Sequence, residues 1–100
     1  MKPLSLPIAF LFALTTNAAD KPTHSAITPE PRGGNWGKRH ESFNQRVAKG
    51  NVDLIFIGDS ITHGWEGKGK AIWEKYYIKR NAVNLGIGGD RTQHVLWRLD

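Results

Sequence analysis

The chain has no cysteine. Disulfides, thiol catalysis and lipid attachment through a cysteine are therefore excluded, whatever compartment it occupies. No apolar stretch approaches the roughly 20 residues that cross a bilayer as a helix. Neither a zinc-ligand spacing nor a recognised nucleic-acid motif is present, and no internal repeat is visible. Acids are scarce: 9 Asp and Glu face 14 Lys and Arg, a formal net charge of +5. The basic residues, among them Lys38, Arg39, Arg46, Lys68 and Lys79, are scattered between acids and aromatics. That scatter reads as a solvated surface rather than a nucleic-acid stripe. A length of 100 residues allows one small domain at most.

The first nineteen residues stand apart from that domain. Lys2 supplies a minimal positive start, and Pro7 to Leu14 is a short apolar core. Small residues around Ala18 and Ala19 follow, the layout of a secretory signal peptide cleaved after one of them. The expected product is secreted or periplasmic, with no stable membrane insertion once the leader is gone. An uncleaved N-terminal anchor is the competing reading. Residues 20–35 are rich in Pro, Thr, Ser and Gly, show no period of 2 or 3.6, and read as a linker or extended arm.

Residues 36–100 carry the expected domain. Trp36 to Lys49 is helical in pattern, with Phe43 and Val47 on one face and Gly50 as its stop. Val52 to Ile57 predicts a strand buried on both faces. A short helix opens at Ser60, and another over Lys70–Lys79 turns Ile72, Trp73, Tyr76 and Tyr77 to one side. Asn81–Ile87 reads as a second strand and Arg91–Leu99 as a last helix. The stretch from Gly58 to Asn81 is long enough for a parallel crossover.

The most telling stretch is Phe56-Ile57-Gly58-Asp59-Ser60-Ile61-Thr62. Open α/β sheets bind ligands at the carboxyl ends of their strands, so a serine just past such an end stands at the mouth of a crevice. Ser60 is thereby the candidate nucleophile. On local pattern alone it is equally well read as a helix N-cap, as is Asp59. Asp90 and Thr92 are the simplest caps for the last helix.

The Gly-Asp-Ser stretch resembles the first sequence block of the GDSL, or SGNH, hydrolase family. A second stretch, Asn84-Leu85-Gly86-Ile87-Gly88-Gly89-Asp90-Arg91-Thr92-Gln93-His94-Val95-Leu96-Trp97-Arg98-Leu99, resembles the second block. Its form is that found in platelet-activating factor acetylhydrolase Ib catalytic subunits and their bacterial relatives. Three letters alone are a weak match; two blocks in order, each after a strand-like run, are a specific one. The likeness covers residues 36–100. It implies a three-layer α/β/α, flavodoxin-like parallel sheet of which only the N-terminal part is present. It also implies a serine esterase acting on short acyl groups such as acetyl.

The chemistry suits these residues. A serine hydroxyl attacks a carbonyl once a base takes its proton, and preplaced N–H donors hold the resulting oxyanion. Gly58 lets the chain turn where a side chain would clash, and the Ser60 N–H is one donor. The resemblance makes Gly89 the second donor, with Asp59 supporting the loop outside the triad and Asp90 beside it. No metal or organic cofactor is implied. Expected substrates are small-molecule, carbohydrate or lipid esters, and export favours carbohydrate acetyl esters.

Several rivals are set aside on spacing. Gly86 and Gly88 do not make a dinucleotide fingerprint, because Arg91 stands where the third glycine belongs. Thr62 stands where the lipase-type elbow needs glycine. His63 follows Ser60 by three residues, but nothing evident orients its ring as a triad base requires. Asp59, His63, Asp90 and His94 have no ligand spacing. His94 reads as a surface or packing residue. The family's asparagine block and its terminal Asp-x-x-His are not found, so the chain reads as the N-terminal piece of a longer protein. The alternative is a non-catalytic remnant or binding module of the same fold.

Overall fold

Residues 2–5, 7–11 and 23–100 are described by the computed structural model. The signal-peptide junction at Ala18 or Ala19 lies outside them. Among the described residues no helix is long and apolar enough to cross a membrane.

Residues 23–100 carry first a 3-10 turn, Ser25–Ile27, and then helix α1, Asn35–Ala48. Trp36, His40, Phe43 and Val47 recur at helical spacing and form its inner stripe. Trp36 and Phe43 are buried; Val47 is not. The helix stops as expected: Gly50 and Asn51 are both left-handed, at φ 73° and 59°, and the Gly50 N–H bonds back to the Val47 carbonyl.

Strands β1, Leu54–Gly58, and β2, Ala82–Gly86, pair in parallel, Leu54 opposite Ala82 and Gly58 opposite Gly86. Between them run α2, Ser60–His63, and α3, Lys70–Tyr76. Helix α4, Thr92–Arg98, follows β2. Strand residues alternate between two faces. On one face Leu85 and the buried Ile87, just past β2, meet Trp36 and Phe43 of α1. On the other, Phe56 is ringed by Trp65, Trp73 and Tyr77, with ring centroids 6.4, 5.2 and 5.1 Å away. The described residues thus form a partial α/β arrangement around a two-stranded parallel sheet.

Three expectations need correcting. β1 is covered on one face only: Ile55 and Ile57 are 52% and 36% exposed, because α1 lies over β2 and leaves the β1 side of that face open. In α3, Trp73 points inward while Ile72 and Tyr76 are exposed, so its apolar face is narrower than the spacing implied. The buried side of α4 is polar, Gln93 and the Arg98 guanidinium, while Leu99 is 61% exposed. Within the stretch expected as a linker or extended arm, the Ser25–Ile27 turn and the Glu30 backbone both dock on α4. The Thr92 hydroxyl donates to the Ala26 carbonyl at 2.6 Å, and the Glu30 N–H to the Gln93 carbonyl at 3.1 Å.

Candidate active site

Gly58 closes β1, and the chain turns at once into the single turn of α2. Its φ is not positive; what it needs is space. A Cβ there would lie 2.5 Å from the Thr62 hydroxyl oxygen. Asp59, and not Ser60, is the cap: its carboxylate accepts the Ile61 N–H at 3.0 Å. Ser60 is therefore not committed to capping and sits exposed as the first residue of the turn. One turn carries little dipole, so the local N–H groups matter more than any macrodipole.

The second strand brings the glycine turn to the same place. The Ile87 N–H donates to the Gly58 carbonyl at 3.1 Å, tying the two strand ends together. The chain then reverses over Ile87–Asp90, with Gly89 left-handed at φ 82°. A Cβ on Gly88 would stand 3.9 Å from the Ser60 Cβ and 3.6 Å from His63 Nδ1. The glycine turn and the serine are thus neighbours at one end of the sheet. The Gly88 N–H is already used, donated to His63 Nδ1 at 3.0 Å. Within this turn, Gly89 is then the glycine whose N–H remains the candidate donor.

That bond also bears on His63. A ring nitrogen that accepts an N–H carries no proton, so in the neutral imidazole the proton sits on Nε2. Nε2 lies 3.7 Å from a Glu66 carboxylate oxygen. His63 is tied to the backbone through Nδ1, an arrangement suited to support rather than to proton abstraction from Ser60.

Two residues fasten the serine to the glycine turn in a way that the sequence did not assign to them. Asn84, buried within β2, donates to the Thr62 carbonyl at 2.8 Å and accepts the Gly86 N–H at 2.8 Å. Gly86 itself touches α2: a Cβ there would collide with the His63 nitrogen and lie 2.8 Å from the Thr62 carbonyl carbon. Those neighbours are backbone and cannot swing aside. Gly86→Ala is expected to cost about 1–3 kcal/mol in overpacking, read as a lower urea midpoint. The same variant should lose turnover, since α2 carries Ser60.

Asp90 lies beneath the turn with its side chain 0% exposed. It accepts from Trp36 Nε1 at 2.8 Å, from Arg32 at 2.8 Å and from Arg98 Nε at 3.0 Å. The caps expected for α4, Asp90 and Thr92, are accordingly wrong. Asp90 is occupied below the turn and Thr92 bonds to Ala26, while the exposed Arg91 N–H is accepted by His94 Nδ1 at 2.9 Å. His94 thus closes the start of α4 rather than simply packing on it.

Two shallow hollows flank the serine. One, of about 410 Å³, is lined by Ser60, His63, Gly64, Glu66 and Gly67. The other, of about 350 Å³, is lined by Ser60, Ile61, Gly64, Trp65, Lys68 and Gly69. A wider cleft of about 970 Å³ runs past Gly58, Asp59 and Asp90 between the Ser25–Ile27 turn and α4. Among the described residues, no three His, Asp or Glu side chains converge as metal ligands would.

No protein-family model matches the chain. It is similar to platelet-activating factor acetylhydrolase IB subunit alpha1 of Rattus norvegicus, 38% identical over 87 residues, or 84% of this chain and 34% of that protein. Subunit alpha1 of Homo sapiens is likewise 38% identical over 87 residues, or 84% of this chain and 35% of that protein. Subunit alpha2 of Bos taurus is 38% identical over 64 residues, 64% of this chain and 27% of that protein. The chain spans about a third of the length of the curated relatives it matches. Through that third it is related to acetylhydrolase subunits.

Proposed function

We propose that this chain is the N-terminal part of an exported serine ester hydrolase of the SGNH type, with Ser60 as its nucleophile. The observation that carries the reading is the approach of the Gly88–Gly89 turn to Ser60 across the ends of two parallel strands. In the complete protein the Ser60 hydroxyl attacks an ester carbonyl and passes its proton to a base supplied beyond these residues. The Ser60 and Gly89 N–H groups hold the oxyanion. The alcohol leaves with that proton, and water then releases the acid from the acyl-enzyme. The relation to acetylhydrolase subunits supports a short acyl group, acetyl on a carbohydrate or a lipid. Export favours the carbohydrate. The exposed Ile55, Ile57 and Leu99 support the view that further chain covers this face in the complete protein.

The test is a fluorophosphonate probe on the complete protein, with the modified peptide identified by mass spectrometry. Labelling confined to the peptide containing Ser60 is the expected result. A folded protein left unlabelled would replace the hydrolase reading with that of a non-catalytic binding module.

A further inference from the structure

We propose that Arg32 and His63 are positioning residues that together orient the Gly88–Gly89 peptide, so that the Gly89 N–H meets the substrate oxygen at Ser60. The inference rests on the ester-hydrolase reading and adds to it two side chains that do not touch substrate.

The argument starts from peptide geometry. The Gly88 carbonyl and the Gly89 N–H belong to one planar trans unit, so they point in opposite directions. Arg32 Nη1 donates to that carbonyl at 3.0 Å and to Asp90 at 2.8 Å. Its guanidinium lies against Gly89 on the side where a Cβ would project, 3.1 Å from it at the nearest atom. With the carbonyl held towards Arg32, the Gly89 N–H is turned away from it. The preceding peptide is held from the other side, its Gly88 N–H donated to His63 Nδ1 at 3.0 Å. Two consecutive peptides of a glycine turn, free to flip by backbone entropy alone, are thereby pinned at both ends.

The ring of His63 has a carboxylate beside it. Nε2 faces Glu66 at 3.7 Å, and Glu66 takes two bonds from Arg39, at 3.1 and 2.9 Å. Arg39 also donates Nε and Nη2 to the Gly86 carbonyl, at 3.0 and 2.8 Å. Arg39 and His63, on either side of Glu66, hold Gly86 and Gly88, one on each side of Ile87. Arg32 comes from the arm before α1, which gives that segment a part in the site.

Losing an oxyanion donor outright costs about 10²–10³ in turnover; misdirecting one should cost part of that. In the complete protein, His63→Leu, which fills the space but accepts no N–H, is expected to lower kcat by about 10-fold or more with KM within about twofold. His63→Gln, whose amide oxygen can accept the same N–H, should recover most of that loss. Arg32→Met should lower kcat in the same way. Binding of an alkylboronic acid, which forms a tetrahedral adduct on serine, should weaken in step with kcat in both variants. A merely structural role would lower the melting temperature and leave kcat and boronate affinity together unchanged in the folded fraction. The proposal is overturned if folded His63→Leu or Arg32→Met keeps wild-type kcat, or if Gln and Leu at position 63 behave alike. Absence of fluorophosphonate labelling in the wild type would instead remove the hydrolase reading, and this inference with it.

Discussion

Ser60→Ala in the complete protein is expected to lower kcat for a short-chain ester by about 10⁴-fold or more while leaving KM and the melting temperature nearly unchanged. The size follows from what the hydroxyl does: without it no acyl-enzyme forms, and what survives is the background from oriented binding and oxyanion donors. The clean separation from stability follows from the structure. Ser60 is exposed, and the capping bond at the start of α2 belongs to Asp59, so removing the hydroxyl takes nothing from the fold. Asp59→Ala is the control with the opposite signature. It loses a cap worth about 1 kcal/mol and should retain measurable turnover. A Ser60→Ala protein that still hydrolyses the ester at a tenth of the wild-type rate would exclude Ser60 as the nucleophile. Steady-state kinetics with purified variants decides it.

Local interactions were the legible part of this molecule. The strand before Gly58, the helix stop at Gly50 and the positions of four helices all depend on neighbours within a few residues, and pattern reads those well. The placement of Ser60 beyond a strand end needed only that pattern. What stayed hidden depends on partners distant in sequence. Arg32, Trp36 and Arg98 converge on Asp90, two of them across more than fifty residues. Periodicity assigns an arginine to a solvated face, and Arg98 instead reaches Asp90 and the Leu85 carbonyl inside the fold. Asn84 misleads in the same way: a polar residue in a strand reads as outward-facing, yet both ends of its amide are used to fasten α2 to β2. The available signal was chemical rather than periodic. A carboxylate directly after paired glycines at a strand end calls for donors, and Arg98, eight residues on, was the candidate near in sequence.

That buried carboxylate carries the second large effect, this time on stability. Asp90→Ala is expected to cost about 3–5 kcal/mol, the range for removing one partner of a buried ion pair. The Arg98 side chain is only 2% exposed and lies 2.9 Å from the Asp90 carboxylate. Without Asp90 its charge keeps the Leu85 carbonyl, 2.8 Å away, but loses its buried counter-ion. The buried Trp36 indole N–H loses its acceptor as well. Against the usual margin of about 5–15 kcal/mol, a loss of that size is a large share of the whole stability. Asp90→Asn, which keeps an acceptor but no charge, should fall between wild type and alanine. The discriminating variant is Asp90→Ala combined with Arg98→Met: removing both charges should be less damaging than removing Asp90 alone, because no orphaned cation remains. Urea unfolding of the complete protein gives each value as a shift in midpoint at constant slope. An Asp90→Ala loss below about 1 kcal/mol would show that the carboxylate is not the counter-charge on which Arg98 depends. Turnover should fall along with stability, because the Asp90 carboxylate holds Arg32, whose Nη1 also bonds the Gly88 carbonyl of the turn that carries Gly89 to the serine.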